Sequence, residues 1–421
     1  MVLRRQAHVL GGLWLVLMGL ACEQSSESGY RSGVLESGLL TVENWGGGTW
    51  TDQEAWHLVE EVRLGTRDSE GPEQFSLVIA LQVDAGGRIY VLEHLSQEVR
   101  VFDAVGAFHY ALGGRGRGPG EFVDAVGMAF DPQGLLWVID PQGGRYSQFD
   151  TEGAFLRSEP RRIQGFLQPH PAVFDLGGAL VDWGLGFPEE GPEVVAGALV
   201  LLQPIRLSPD LQPTDTLPAI EFRQEMIAGG TRPRVFFASK VVVHQDGKGD
   251  LWFAHTREYR IFQRSLTGDT VLAVRLDASP ARIGQQERDE IRARLEGRGD
   301  ARIHLEGLPE HKPMIHGVFS DGAGHVFVIP ELRDVAAGSV ADVFRDTGEY
   351  LGRLPLPIPV AVGGVGPVLR ATRDHLYYVF TDDYNVPYVA KVRIERPGRG
   401  RRVPRGVVLM GNGLLNGGHG G

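Results

Sequence analysis

The feature that most constrains the fold is a short motif that recurs along the chain. Each copy combines an acidic residue, a turn that usually contains glycine, and an apolar–aromatic–apolar run. Aspartate bonds its own turn backbone and glycine accepts positive φ, so each copy predicts a β-hairpin. The copies begin at Asp84, Asp131, Asp175, Asp246, Asp321 and Asp374, of which the third is degraded and the sixth lacks the glycine.

The spacing of the motif predicts the architecture. Its first three glycines, Gly87, Gly134 and Gly178, are 47 and 44 residues apart, the length of a four-stranded blade. A second strand pair often follows, so each unit holds about four strands. Six copies predict an all-β, six-bladed β-propeller. Seven blades, the alternative, would require a further motif within 185–245, where no Asp-x-x-Gly turn occurs.

A propeller leaves no free edge only if its two ends join. The segments 39–45 and 58–64 have strand composition, and we expect at least one of them to pair with 388–394 in the last blade. The propeller would then span 39–394.

One helical insertion is predicted at 279–297. Ser279 and Pro280 have the chemistry of an N-cap and a first helical residue, and Gly297 ends the pattern. We expect this helix to pack on one propeller face.

The N-terminus has the pattern of an export signal. Arg4 and Arg5 precede an apolar stretch at 9–20 that is too short to span a bilayer comfortably. A small residue and Cys22 follow, which resembles a bacterial lipoprotein signal, although Gly19 stands where leucine is usual. Cys22 is the only cysteine in the chain, so its simplest use is as a lipid anchor. The alternative is an ordinary secretory signal.

These features divide the chain. Residues 1–22 are predicted to be a lipoprotein-type signal peptide, 23–38 a flexible tether and 395–421 a disordered basic tail rich in glycine and arginine. The absence of aspartate after the cysteine implies, by the same resemblance, an outer-membrane lipoprotein on the periplasmic or surface face. The net charge of -11 argues against nucleic acid as a partner, because an acidic body repels phosphates.

Two consecutive stretches carry a family resemblance. Residues 87–106 end a strand in Phe-Asp followed by a glycine turn, and 112–122 read Leu-Gly-Gly-Arg-Gly-Arg-Gly-Pro-Gly-Glu-Phe. This pattern resembles an NHL repeat, specifically over 84–155 and more loosely over roughly 39–394. The resemblance implies an NHL-like six-bladed propeller of the exported bacterial lipoproteins, most of which have no assigned activity.

Familiar catalytic motifs are missing from the sequence. The glycine-rich run 113–120 lacks the Gly-Lys-Ser/Thr ending of a phosphate loop, and its position between two blades explains it as a crossover. No Gly-x-Ser-x-Gly elbow, His-Glu-x-x-His pair or cysteine-based nucleophile is present. Glu93 and Asp140 follow their turns at equal spacing, and we expect such acids to bind loop backbone.

Two histidines are the candidates for a metal site. His170 and His316 each precede their turn aspartate by five residues, which predicts equal depth in the central channel. A divalent cation there would need a third ligand, and the equivalent positions of the other blades are aliphatic. Packing is therefore the favoured interpretation and a metal the alternative.

Basic residues near the starts of inner strands are the candidates for ligand binding. If they converge, they would form a cationic mouth on an acidic body, suited to an anionic small ligand or peptide. These residues are Lys240, Arg232, Arg234, Lys312 and Arg370.

The favoured function is a non-enzymatic, lipid-anchored scaffold that binds a protein, peptide or glycan at the bacterial cell envelope, as a monomer and without a cofactor. The alternative is a metal-dependent hydrolase or lyase, similar to gluconolactonase or peptide-amidating lyase propellers, with a divalent cation in the channel. A purely architectural role in an outer-membrane assembly is a third possibility.

Overall fold

A computed structural model describes residues 28–68, 70–168, 170–187, 199–223, 237–246, 248–265, 267–296, 308–331, 339–360 and 367–397. The predicted signal peptide with Cys22 lies outside these residues, as does most of the basic tail. Among the described residues, no helix is long and apolar enough to span a bilayer.

Strands dominate the described chain, as the recurring hairpin motif predicts. They are β1 (Gly29–Val34), β2 (Leu40–Trp45), β3 (His57–Leu64), β4 (Val78–Val83), β5 (Ile89–Glu93), β6 (Glu98–Phe102), β7 (Phe108–Gly113), β8 (Gly127–Phe130), β9 (Leu136–Asp140), β10 (Arg145–Phe149), β11 (Phe155–Pro160), β12 (Val173–Phe174), β13 (Leu180–Gly186), β14 (Leu199–Leu207), β15 (Pro213–Thr216), β16 (Ile220–Arg223), β17 (Val241–Gln245), β18 (Leu251–His255), β19 (Arg260–Arg264), β20 (Thr270–Leu276), β21 (Ile315–Ser320), β22 (His325–Pro330), β23 (Val340–Arg345), β24 (Tyr350–Pro355), β25 (Leu369–Ala371), β26 (His375–Thr381) and β27 (Pro387–Glu395).

The strands form six sheets, one for each copy of the motif, and the protein is a six-bladed β-propeller. In chain order the blades start with the inner strands β4, β8, β12, β17, β21 and β25. Within each blade, the strands that follow in sequence pair antiparallel with their neighbours. In the third blade two short strands, β15 and β16, pair with the two ends of the long strand β14. The prediction of six blades rather than seven is confirmed.

The turn chemistry predicted for the motif is present. The Asp131 carboxylate accepts hydrogen bonds from the backbone N–H groups of Gln133 (3.0 Å) and Leu135 (2.9 Å), and Gly134 has a φ of 82°. An L side chain rarely adopts that angle, so glycine is required where the chain turns from β8 into β9. The hairpin thus follows from local chemistry before any blade packs.

Large side chains fill the spaces between neighbouring blades. Trp252 of the fourth blade shares one apolar cluster with Ile315 and Val328 of the fifth, and all three are essentially inaccessible to solvent. Burial of each such side chain stabilises the fold by about 1.5–3 kcal/mol. The blades are therefore held together by an apolar core that surrounds the channel.

An early strand closes the ring. β3 pairs antiparallel with β27, so that Leu64 lies opposite Val389 and His57 opposite Glu395. The other early strand, β2, instead pairs parallel with β20 at the outside of the fourth blade and carries β1 on its free side. β1 lies within 23–38, where the sequence predicts a tether, so its backbone is paired there.

The helix is shorter than predicted. It is α1 (Gln285–Glu296), and it starts six residues after the predicted start of 279–297. The residues just before the helix pair with another segment, since the Ile283 N–H donates to the Glu310 carbonyl (3.0 Å). Glu287 accepts a hydrogen bond from the Gly284 N–H (3.0 Å), which caps the first turn. Backbone pairing with a distant segment therefore overrides the Ser-Pro start signal.

The propeller has two different faces. The chain enters every inner strand at one face, which we call the insertion face, because the connection that carries α1 lies there. It leaves each inner strand through the short turns of the repeated motif at the opposite, or turn, face. The channel between the inner strands joins the two.

Candidate functional site

The inner strands of the six blades surround a cavity of about 150 Å³ at the centre of the propeller. Its wall is mostly aliphatic, and it includes residues from β4, β8, β12, β17, β21 and β25. Among the described residues that line it, none is an aspartate or glutamate. The basic and imidazole side chains of the wall are His170, Lys240, His244, His316 and Arg370.

Arg370 lies in the middle of the short strand β25. Its neighbours Leu369 and Ala371 pack in the core between the last two blades, so the alternation of the strand places Arg370 on the other face, beside the cavity. The guanidinium Nε is buried and has no hydrogen-bond partner among the described residues, although the side chain as a whole is only half-buried. Burial lowers the pKa of Arg370, and the nearby carboxylate of Asp246 only partly opposes this. The cation is thus partly dehydrated, and no described carboxylate forms a hydrogen bond with it.

Lys240 immediately precedes β17 and stands at the cavity mouth. Its backbone is fixed by Thr256, whose N–H donates to the Lys240 carbonyl and whose hydroxyl accepts from the Lys240 N–H, both at 2.9 Å. The side chain is accessible to solvent but crowded by protein, and this crowding lowers the pKa of Lys240. No described carboxylate forms an ion pair with it.

His244 lies deeper, near the end of β17. Its ring meets that of Phe319 edge-on, with the centroids 5.7 Å apart. Burial, aided by the positive charge of Arg370, lowers the pKa of His244 to about 3, so the ring is neutral at physiological pH. Nε2 is buried and has no hydrogen-bond partner among the residues that the structure describes.

His170 also lines the cavity, but its ring is tied to a buried carboxylate. Nε2 of His170 lies 2.5 Å from Asp182 Oδ1, while Arg161 Nε (2.7 Å) and the Tyr146 hydroxyl (2.5 Å) both donate to Asp182 Oδ2. Burial alone would raise the pKa of Asp182, but its two basic partners hold it well below the usual range. Gly127 makes room for this arrangement, since a Cβ there would lie 2.8 Å from the His170 Cβ.

His316 belongs to a different ion-pair chain. Its Nε2 bonds Glu331, and the other oxygen of Glu331 lies 3.2 Å from Lys312 Nζ. Lys312 in turn contacts Glu287 of α1 at 2.5 Å. Burial opposes ionisation of Glu331, but His316 and Lys312 lower its pKa overall. This chain fixes the helix to the start of β21.

The structure brings some of the predicted site residues together and separates others. Lys240 and Arg370 border one cavity. Lys312 does not line it, because Glu287 and Glu331 hold its ammonium beside α1. The other two basic candidates, Arg232 and Arg234, lie outside the described residues.

The two candidate metal ligands lie on one cavity wall, but each bonds its own carboxylate. His170 is paired with Asp182 and His316 with Glu331. In the described part of the chain, no three His, Cys, Asp or Glu side chains are grouped as metal ligands. The residues present therefore do not fit a divalent cation at this level of the channel.

The repeated acids have the structural role expected of them. Glu93 accepts hydrogen bonds from the backbone N–H groups of Ser76, Leu77 and Ser96 at 2.6–3.1 Å. Asp140 does the same for the loop before β8, accepting from Val123 at 2.9 Å. These carboxylates fix crossovers and are not available for acid–base chemistry.

Sequence reasoning missed His244 as a channel residue. The available signal was its position two residues before the turn aspartate Asp246, on an inner strand. Its neutrality could not be inferred, because it depends on burial in the channel and on the charge of Arg370, which is distant in sequence.

Comparisons with known proteins agree with the fold. A family model described as a 6-bladed beta-propeller matches residues 53–160. A Bacteroides fragilis protein assigned as exported is similar over 85% of this chain and 100% of its own, with 13% identity and a TM-score of 0.51. No curated protein matches the sequence.

Two solved enzymes are also similar in structure. Virginiamycin B lyase from Staphylococcus aureus shares 9% identity over 80% of this chain and 99% of its own, with a TM-score of 0.42. The gluconolactonase from Xanthomonas campestris shares 14% identity over 83% and 98%, with a TM-score of 0.45. At these identities the likeness is one of fold.

Proposed function

We propose that this protein is a non-enzymatic binding scaffold of the bacterial cell envelope, anchored through a lipid on Cys22, whose central cavity takes an anionic group of a peptide or glycan. The observation that carries the proposal is the charge of the cavity. Lys240 and Arg370 border it, and no described lining residue is acidic.

The partial burial of Arg370 favours an anionic ligand. Part of the cost of removing the guanidinium from water is met when the protein folds, so a ligand that arrives afterwards gains the attraction with a smaller loss of hydration. At 4 Å and an effective dielectric constant near 20, two unit charges attract by about 4 kcal/mol. The solvent-accessible ammonium of Lys240 adds a weaker attraction at the entrance.

The location is inferred from the sequence. The pattern of the first 22 residues supports export and lipidation of Cys22. Outer-membrane attachment, a monomeric state and the absence of a cofactor are parts of the same proposal. A scaffold tethered in this way would present its insertion face, with α1, to the envelope.

The proposal is tested by calorimetric titration of the full-length protein in detergent with short N-acetylated peptides that end in a free carboxylate, and with the corresponding amides. We expect binding of the acids, weaker binding of the amides and weaker binding of the acids by Lys240→Met. Lys248→Met, at an exposed lysine of the turn face, is the matched control. Equal affinity for acid and amide would contradict the proposal.

The second function, a metal-dependent hydrolase or lyase, would require His170 and His316 to leave their carboxylate partners. Elemental analysis of protein purified without chelators tests it. Stoichiometric zinc, calcium or iron that is lost in His316→Ala would favour it over the scaffold.

A further inference from the structure

Three polar atoms near the turn-face end of the cavity are buried and have no hydrogen-bond partner within the described part of the chain. They are Nε of Arg370, Nε2 of His244 and Oε1 of Gln245, and all three residues line the cavity. A buried polar atom without a partner costs roughly 1–3 kcal/mol, so a group of three at one place needs an explanation.

The hydrogen-bonding character of two of these atoms is fixed. Arg370 Nε carries a hydrogen and can only donate. Gln245 uses its amide nitrogen to donate to the Gly249 carbonyl at 3.4 Å, which leaves Oε1 as an acceptor. The site therefore offers one cationic donor and at least one neutral acceptor.

His244 supplies a second acceptor. The ring is neutral at physiological pH, because burial lowers its pKa. A neutral imidazole carries one N–H and one lone pair, and in the tautomer protonated at Nδ1 the lone pair belongs to the unpartnered Nε2. That lone pair can accept a hydrogen bond from a hydroxyl group but not from a carboxylate.

Other charged groups around His244 do not change this arrangement. Asp246 lies in the turn that follows β17 and accepts hydrogen bonds from the Lys248 N–H (3.0 Å) and the Ser320 hydroxyl (3.1 Å). Arg370, across the channel on β25, disfavours a second positive charge on the ring. Phe319 covers it from β21.

We propose that this end of the cavity binds a hydroxylated carboxylate, with the carboxylate on Arg370 and a hydroxyl donating to His244 Nε2 or Gln245 Oε1. This inference rests on the proposed function and narrows its ligand class. A water molecule could satisfy the two acceptors but would leave the charge of Arg370 uncompensated. The volume suits one small ring or a short chain, because an engineered cavity of about 150 Å³ admits benzene.

The test is calorimetric titration of the full-length protein at pH 7 with matched probes. D-glucuronate is compared with cyclohexanecarboxylate, which lacks the hydroxyls, and with D-glucose, which lacks the charge. L-lactate and propionate form a second pair, of short open chains that differ by one hydroxyl. We expect the hydroxylated acid of at least one pair to bind about 3- to 10-fold more tightly than its partner, and glucose not to bind.

Two variants assign the contacts. Arg370→Gln should weaken binding of the hydroxylated acid by about 10- to 100-fold, because it removes a charge-assisted hydrogen bond. His244→Phe keeps the ring packing with Phe319 but removes the acceptor, and it should weaken only the hydroxylated acids, by about 3- to 10-fold. Lys248→Met is the control and should change neither.

The outcomes separate the two proposals. If the acids with and without hydroxyls bind equally well in both pairs, and Arg370→Gln weakens their binding, the hydroxyl contact is wrong and the anion site remains. If no acid binds, the anion site itself is wrong, and ordered water is the only occupant. Binding of glucose as tight as that of glucuronate would overturn the role of the carboxylate.

Discussion

Replacement of Arg370 by methionine should stabilise the ligand-free protein. The side chains are of similar length, and the substitution removes a guanidinium whose buried Nε has no partner among the described residues. An unsatisfied buried donor costs about 1–3 kcal/mol, and this cost disappears in Arg370→Met. Asp246 loses a favourable charge but keeps its hydrogen bonds from Ser320 and from the Lys248 backbone.

The magnitude can be expressed as a melting temperature. The unfolding entropy of a propeller of about 350 residues is about 0.7 kcal/mol/K, so a gain of about 1–3 kcal/mol raises Tm by about 1–4 °C. Differential scanning calorimetry of the ligand-free protein measures it. Arg353→Met is the matched control, because Arg353 Nε donates to the buried Asp342 at 3.0 Å, and its loss should lower Tm. A lower Tm for Arg370→Met would refute the idea of an unpaired cation kept for binding.

Three further predictions concern the folded state and its mouth. Asp182→Asn should destabilise the protein by about 3–5 kcal/mol in urea titrations at pH 7, because it leaves Arg161 and His170 without their carboxylate. The pKa of Asp182 is lowered in the folded protein, so its carboxylate stabilises the fold fully above the unfolded pKa near 4, and this stabilisation is lost as the pH falls towards the folded pKa. The free energy of unfolding of the variant should therefore depend less on pH below pH 4. Leu64 on the closing strand β3 is 2% exposed, and Leu64→Ala should lower the free energy of unfolding by about 2–5 kcal/mol in the same assay. Leu35 is 53% exposed, and Leu35→Ala should lower it little. Similar losses in the two variants would contradict closure by β3. Lys240→Met should change Tm by no more than about 1 °C and should weaken binding of acidic peptides, because Lys240 is accessible and has no described ion-pair partner. A large fall in Tm would instead indicate a structural role.

Local signals predicted the fold well because the propeller repeats them. The Asp–Gly turns predict each hairpin without reference to the rest of the chain, and their number predicts six blades. The closing pair β3–β27 followed from the need to leave no free edge. The start of α1 was wrong because Ile283 pairs with Glu310, a tertiary contact that its own sequence window does not contain.

The site was only partly predictable, because it depends on pairing between distant segments. Lys240 and Arg370 were identified from their positions at inner strands, and both border the cavity. Lys312 has the same kind of position, but α1 supplies Glu287 to neutralise it. Whether a basic residue is free to bind a ligand thus depends on which acid the fold places beside it.

The most direct test of the account follows the side-chain Nε–H signal of Arg370 by nuclear magnetic resonance, assigned by its absence in Arg370→Gln. Without ligand, we expect the signal of a proton that has no bonded acceptor. Titration with the tightest-binding carboxylate should shift this signal more than those of the other arginines and slow its exchange with water, as a new charge-assisted hydrogen bond requires. An Arg370 signal that stays unchanged when the ligand is saturating would contradict the central claim that this buried cation is the anion-binding group of the channel.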